Sequence, residues 1–355
     1  MDIPLLLIII ILLAFIFDYI NGFHDSANSI ATVISTKVLT PFQAVLWAAM
    51  FNFIAFFISK YLIGEFKVGN TIASSVNENF INLEVILAGL VAAIIWNLIT
   101  WWYGIPSSSS HTLIGGFIGA ALAHAGGFSG ANGVDVINYV KVIPIFLFIF
   151  MAPFIGIFFG FAISAIIINL FKKSNPLKAE RLFKKLQLIS SAMLSLGHGG
   201  NDAQKVMGII GAAVIYFHVQ IEQDPFWINS TDRFDLFVNH WEWVPFTSFL
   251  IIGLGTLSGG WKIIKTMGTR ITKVTPLEGV SAETAGALTL YLSEFLGIPV
   301  STTHTIVGGI IGVGMTKRVS AVRWGVTISL VWAWILTIPV SAVIAAATYY
   351  IIMLF

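Results

Sequence analysis

The sequence predicts an all-α, polytopic membrane bundle of two inverted-topology repeats, with helices that break or begin inside the membrane at two Ser/Thr motifs. Three observations carry this. Of 355 residues, 57% are hydrophobic and only 10% charged, against about 25% charged in an ordinary soluble domain; so few charges cannot cover a water-facing surface. The apolar residues fall in blocks long enough to cross a hydrocarbon core of roughly 30 Å as helices, and lipid gives the backbone no other way to pair. Finally, one polar motif occurs twice, once in each half. The net charge of +2 is too small and too scattered for a nucleic-acid partner. The absence of cysteine excludes disulfides, thiolate metal sites and cysteine nucleophiles.

Five apolar segments precede the midpoint: Ile3–Thr36, Pro41–Ile63, Leu83–Tyr103, Ile105–Ala123 and Tyr139–Phe171. Met1–Ile20 has Asp2 in place of a basic leader and no small-residue cleavage site, so it reads as the start of the first membrane helix. Five segments follow: Leu186–Phe217, Trp243–Ile264, Val280–Leu296, Ile298–Met315 and Trp324–Phe355. Between the halves, residues 172–185 carry Lys172, Lys173, Lys178, Arg181, Lys184 and Lys185 against the single acid Glu180. Short basic loops face the cytoplasm, which places this linker inside. Lys37, Lys262, Lys265, Arg270, Lys273, Lys317, Arg318 and Arg323 then thread inside, and the Gly64–Asn82 and Ile221–Glu242 loops outside. Both termini are expected outside a multi-pass protein of the cell membrane. Five crossings per half is odd, so residues 1–171 and 186–355 are expected to be inverted repeats. The oligomeric state stays open, with a homodimer among the assemblies allowed.

The repeat is visible in the residues. Ile105-Pro106-Ser107-Ser108-Ser109-Ser110-His111-Thr112 through Gly119 aligns without gaps on Ile298-Pro299-Val300-Ser301-Thr302-Thr303-His304-Thr305 through Gly312. Nine of these fifteen positions are identical, where composition alone would give about one or two. A weaker pair precedes it in each half: Gly22-Phe23-His24-Asp25-Ser26-Ala27-Asn28 and Gly199-Gly200-Asn201-Asp202-Ala203-Gln204-Lys205.

Each strong motif, a proline, then hydroxyl residues, then a glycine-spaced apolar run, reads as a helix beginning inside the membrane with proline in its first turn. The free N–H groups and positive dipole end of such a turn, with neighbouring hydroxyls, donate to an anion. Two such ends could wrap a tetrahedral oxyanion through Ser107, Ser108, Ser109, Ser110, Thr112, Ser301, Thr302, Thr303 and Thr305, joined by Asn201. The competing reading, that these small residues only cap or pack helices, does not explain the duplication.

Asp25 and Asp202 are matched acids within apolar segments, where a carboxylate costs about 2.5–3.5 kcal/mol and is functional by default. A carboxylate repels an anion, so they are expected to hold cations or a proton. Asp25, Asn28, Asp202 and Glu283 form the candidate sodium set, with the Asn201 amide oxygen nearby. Asp18 reads as an acid near an aqueous vestibule, Glu294 as a shallower one. His111 and His304 read as supports for the helix starts. Lys205, where the first half has Asn28, reads either as a fixed positive charge or as a residue turned away from the site. Trp96, Trp101, Trp102, Trp241, Trp243, Trp332 and Trp334 read as interfacial anchors.

On these residues the sequence closely resembles the inorganic phosphate transporter (PiT) family of cation-coupled symporters. That family carries a duplicated Gly-Ala-Asn-Asp-Val-Ala-Asn-Ala-like signature, similar to Gly22–Ser29 and Gly199–Val206; His24, Gln204 and Lys205 are departures. The stretch Gly297–His304, preceded by Thr266-Met267-Gly268 and Ile271–Pro276, is also similar. The resemblance implies sodium-coupled symport of inorganic phosphate, with proton-coupled transport of phosphate or a metal-phosphate complex as the alternative. Phosphate, sodium as coupling ion and the bilayer are then the partners; no cofactor is needed and no enzyme activity is implied. An intramembrane serine hydrolase needs one nucleophile and one base, and gives no reason to duplicate the set. An anion channel would need no cation.

Overall fold

The computed structural model describes residues 3–130 and 133–355; the reading of Met1 and Asp2 therefore lies outside the described residues. The first half runs α1 (Leu5–Ser35), α2 (Pro41–Ile58), the short α3 (Lys67–Ala73), α4 (Leu83–Tyr103), α5 (Ser109–Ala125) and α6 (Tyr139–Phe171). The second runs α7 (Pro176–Tyr216), α8 (Pro225–Ile228), α9 (Arg233–His240), α10 (Trp243–Ser258), α11 (Trp261–Lys265), α12 (Pro276–Leu296), α13 (Thr302–Lys317) and α14 (Trp324–Ile352). Among the described residues there is no strand, only two isolated bridges.

All ten expected helical segments are present, with instructive differences. Much of the basic linker is helix. Pro176 opens α7, and the Asn175 side chain accepts from Leu177 N at 3.0 Å and Lys178 N at 3.3 Å, so only Lys172–Asn175 connects the halves. Apolarity locates a span and is blind to a helix running on past it. The segment Trp243–Ile264 is broken at Gly259-Gly260, where α10 and α11 bend by 64°. Both expected outer loops carry helix: α3 in the first, α8 and α9 in the second.

The ten segments are not all full-length spans by themselves. Six helices are long and apolar enough to span a membrane, seven if α10 and α11 act as one. Helices α5 and α13 have 17 and 16 residues, short of the ~20 that a full crossing takes, and α12 carries Glu278, Glu283 and Glu294.

Packing between the halves is reciprocal. α5 lies on α14 and α13 on α6; α4 also meets α14, as α12 meets α6. α1 packs on α10 and α7 on α2, while α3 sits against α7 and α11 against α1. Glycines make the closest seams. A Cβ on Gly119 would lie 2.3 Å from Ala342 O, and one on Gly312 2.3 Å from Ile157 O. Such small-residue seams let backbones touch where lipid provides no hydrophobic force between helices. Outward, Leu12, Leu147, Phe154, Phe158, Ile166, Trp332 and Val343 are exposed, an apolar girdle suited to acyl chains. Inward lies a polar layer: Asp25, Asn28, Ser109, Ser110, Asp202, Lys205, Thr302 and Thr303 are all buried.

Candidate functional site

Gly104 ends α4 and Gly297 ends α12, at φ of 65° and 66°, a left-handed conformation that glycine adopts at little cost. The chain then runs extended through Ile105–Ser108 and Ile298–Ser301. Pro106 and Pro299 lie in these stretches, two residues ahead of the caps. They do not occupy the first helical turn, as expected from sequence; they hold the preceding residue extended. Ser108 then caps α5, its Oγ accepting from His111 N at 3.2 Å, and Ser301 caps α13 by the same 3.2 Å bond from His304 N. Thr112 and Thr305 return their hydroxyls to the carbonyls of those serines at 2.8 and 2.9 Å. These four residues shape the helix starts. Ser109, Ser110, Thr302 and Thr303 occupy the first two positions of the helices, where backbone N–H groups have no intrahelical partner.

The matched acids come to these ends from the middles of α1 and α7. Asp25 Oδ2 accepts from Ser109 Oγ at 2.7 Å, and Oδ1 lies 2.7 Å from His24 Nδ1. The other nitrogen of His24 reaches Thr100 Oγ1 at 3.1 Å, to which Ser107 Oγ donates at 2.9 Å. Asn28 crosses to the other half: its Nδ2 donates to Thr302 Oγ1 at 2.9 Å and Thr303 Oγ1 at 3.0 Å, and Thr303 in turn donates to Ser107 O at 3.1 Å. From α7, the Lys205 ammonium meets Asp202 Oδ1, Ser110 Oγ and Val300 O, while Ser110 donates to Val300 O at 3.0 Å. Lys205 is thus in the site, settling the choice left open by sequence.

His198, one turn before Asp202 on α7, is not among the residues expected from sequence, and its i, i+4 spacing from Asp202 is the signal that points to it. One nitrogen stands 3.3 Å from Asp202 Oδ2 and the other 3.3 Å from Asn52 Oδ1. Ligand atoms of Asp25, His198 and Asp202 all lie within 4.8 Å of one another. Asn201 donates to Ser293 Oγ at 3.3 Å. Its Oδ1, Asn28 Oδ1, Ser29 Oγ and Asp202 Oδ2 are buried without a hydrogen-bond partner among the described residues. A buried oxygen left so costs about 1–3 kcal/mol, the debt that a cation or a polar substrate would discharge.

Glu283 does not join this cluster. Its carboxylate accepts from Thr32 Oγ1 at 2.6 Å, Gln187 Nε2 at 2.8 Å and Ser190 Oγ at 2.5 Å, beside a point on α1 seven residues, or about 10 Å, beyond Asp25. Asp18 is fully buried rather than in a vestibule, and neither carboxylate oxygen has a partner among the described residues. Glu294 accepts from Gln204 Nε2 at 3.1 Å, whose Oε1 takes Val68 N at 3.0 Å. The His111 and His304 rings meet edge to face at 5.0 Å, directly behind the two caps. Trp334 is no interfacial anchor: its indole is buried, 4.1 Å from His304 by ring centroid, and donates to Pro106 O at 3.2 Å.

Two helix starts aimed at one buried set of carboxylates, amides and an ammonium, inside an apolar girdle, define a membrane transporter for a small anion. The chain belongs to the phosphate transporter family, whose model matches residues 21–345. It is 46% identical to a probable low-affinity inorganic phosphate transporter of Rhizobium meliloti, over 97% of this chain and 96% of that one. It is 42% identical to a protein of the same description in Bacillus subtilis, over 99% of both. Among solved structures it resembles one titled the sodium-dependent phosphate transporter, with a TM-score of 0.79 and 24% identity over 99% of this chain and 100% of that one. The expectation of a multi-pass phosphate transporter, and not an enzyme, is borne out.

Proposed function

We propose that this protein carries inorganic phosphate across the cell membrane by sodium-coupled symport, using two inverted repeats, residues 1–171 and 186–355, joined by the basic 172–185 stretch on the cytoplasmic side with both termini outside. The observation that carries this reading is the meeting of both helix starts with both acids in one buried cluster. Phosphate oxygens would take the N–H groups and hydroxyls of Ser109, Ser110, Thr302 and Thr303. Sodium would take oxygens of Asp25, Asp202 and Asn28, a hard-ligand set. Each charge lowers the cost of burying the other, which is the reciprocal linkage that symport needs. Glu283 would serve a separate cation position.

The two histidines against the acids, His24 and His198, favour a second reading in which a proton is the coupling ion. Uptake of labelled phosphate into proteoliposomes, with sodium, potassium or a pH gradient supplied one at a time, separates the two. Sodium alone driving accumulation is the expected result; a pH gradient sufficing in potassium would replace sodium by the proton.

A further inference from the structure

The two halves of the site align position for position. A shift of 177 places Asp25 on Asp202 and Asn28 on Lys205; a shift of 193 places Ser107 on Val300 and Ser110 on Thr303. The contacts obey the same exchange. Asn28 Nδ2 reaches Thr303 Oγ1, which donates to Ser107 O; Lys205 Nζ reaches Ser110 Oγ, which donates to Val300 O. Within this exchanged pair of contacts the half-sites differ in the residue that donates. Asn28 leaves its Oδ1 buried and unpaired among the described residues, an open ligand for a cation. Lys205 brings no acceptor at all.

The Lys205 nitrogen sits where a carboxylate oxygen of Asp202, the Ser110 hydroxyl oxygen and the Val300 carbonyl converge. That is the oxygen set a hard monovalent cation prefers. All three partners are acceptors here, since Ser110 spends its proton on Val300 O, so three donor hydrogens are needed and the group is an ammonium. Lys205 is 1% exposed and Asp202 0%, so this charge pair is shielded from water in this structure.

We propose that Lys205 is a tethered cation permanently filling one of two equivalent cation positions, so that this transporter moves one coupling cation fewer per phosphate than a chain with asparagine at both positions. Asp25 and Asp202 carry two negative charges; Lys205 supplies one positive charge and a single mobile cation at Asp25 and Asn28 supplies the other. The inference rests on the cation-coupled reading above but not on sodium being the cation.

The test is Lys205→Asn, which restores the pattern of the first half. In proteoliposomes, the charge moved per phosphate is read from current and isotope flux, in sodium and in potassium with and without a pH gradient. The expected result is one additional charge per phosphate in Lys205→Asn and a cation dependence steeper by about one in Hill coefficient, with Lys205→Arg keeping the wild-type ratio. Thermal unfolding of the purified protein gives a readout independent of transport. Lys205→Asn should be stabilised by the coupling cation more than wild type, and Lys205→Met, with no oxygen to offer, should not. A folded Lys205→Asn with the wild-type charge ratio and cation response overturns the proposal, as does one that no cation stabilises while Lys205→Arg folds. Simple loss of phosphate affinity without any gained cation would reassign Lys205 to the anion. If the added cation proves to be a proton, the sodium reading falls and the tethered cation stands; if sodium drives the wild type and Lys205→Asn gains nothing, the reverse holds.

Discussion

Replacing Gly312 by alanine should damage the site from a distance. The new Cβ would lie 2.3 Å from Ile157 O and 2.9 Å from Phe161 N. Ordinary contact starts near 3.4 Å, so α13 and α6 must part by about 1.1 Å, and interiors packed like crystals transmit such a shift. Overpacking of this kind costs about 1–3 kcal/mol. Thr302 lies ten residues back along the same helix, about 15 Å away. If α13 moves as a rod, the 2.9 and 3.0 Å bonds from Asn28 to Thr302 and Thr303 open to about 4 Å, outside hydrogen-bond range. Two lost bonds at about 0.5–1.5 kcal/mol each give about 1–3 kcal/mol, or roughly 5–150-fold in phosphate affinity. The assay is the KM for labelled phosphate in proteoliposomes together with thermal unfolding in detergent. Gly325→Ala is the control, because a Cβ there meets nothing within 4 Å. Wild-type KM and unfolding temperature in Gly312→Ala would refute the rigid transmission from seam to site.

Asp25→Asn and Asp202→Asn should each weaken cation affinity and, through linkage, phosphate affinity by roughly 5–150-fold; wild-type cation dependence of uptake in both would remove these acids from coupling. Sulfate should compete poorly and arsenate well against phosphate. A carboxylate can accept the proton that phosphate and arsenate keep at neutral pH but repels sulfate, and sites built to pair a substrate hydroxyl reject its analogue by about 10⁴–10⁵; equal inhibition by sulfate and arsenate would show that the acids do not read that proton. Ser109→Ala removes the 2.7 Å bond to Asp25 and should cost about 1.5–3 kcal/mol of stability, as for hydrogen bonds to charged groups, seen as a lowered unfolding temperature together with a raised KM; an unaltered KM would free Ser109 from the site.

Much of this arrangement is legible in the residues, because a membrane helix announces itself by length and a duplicated motif announces its own importance. Asp25, Asn28, Asp202, Ser109, Ser110, Thr302 and Thr303 are legible in that way, and the structure gathers them, while Ser108, Thr112, Ser301 and Thr305 of the same motifs shape the helix starts. What a linear reading misses is distance between elements. Glu283 looks like a third acid of the set, yet its side chain is held by Thr32, Gln187 and Ser190 two turns away along α1. Lys205 breaks the signature, and only its placement on Asp202, Ser110 and Val300 O shows that it remains in the site. Trp334 has the composition of a surface anchor and the surroundings of a core residue. The shortness of α5 and α13 escapes a linear reading for a related reason: both are apolar and follow a tight glycine turn, but begin within the structure and have only 17 and 16 residues.

The seam between α5 and α14 bears on how the molecule is made. Gly115 and Gly119 close against Ile338, Ser341 and Ala342, residues synthesised more than two hundred positions later. Throughout synthesis of the second half, the first motif helix therefore stands with its glycine face uncovered, while α13 finds α6 already waiting. The ribosome must complete α14 before the earlier of the two motifs acquires its backing. A nascent chain stalled ahead of α14 would hold every residue of that motif and still lack the wall against which it is seated.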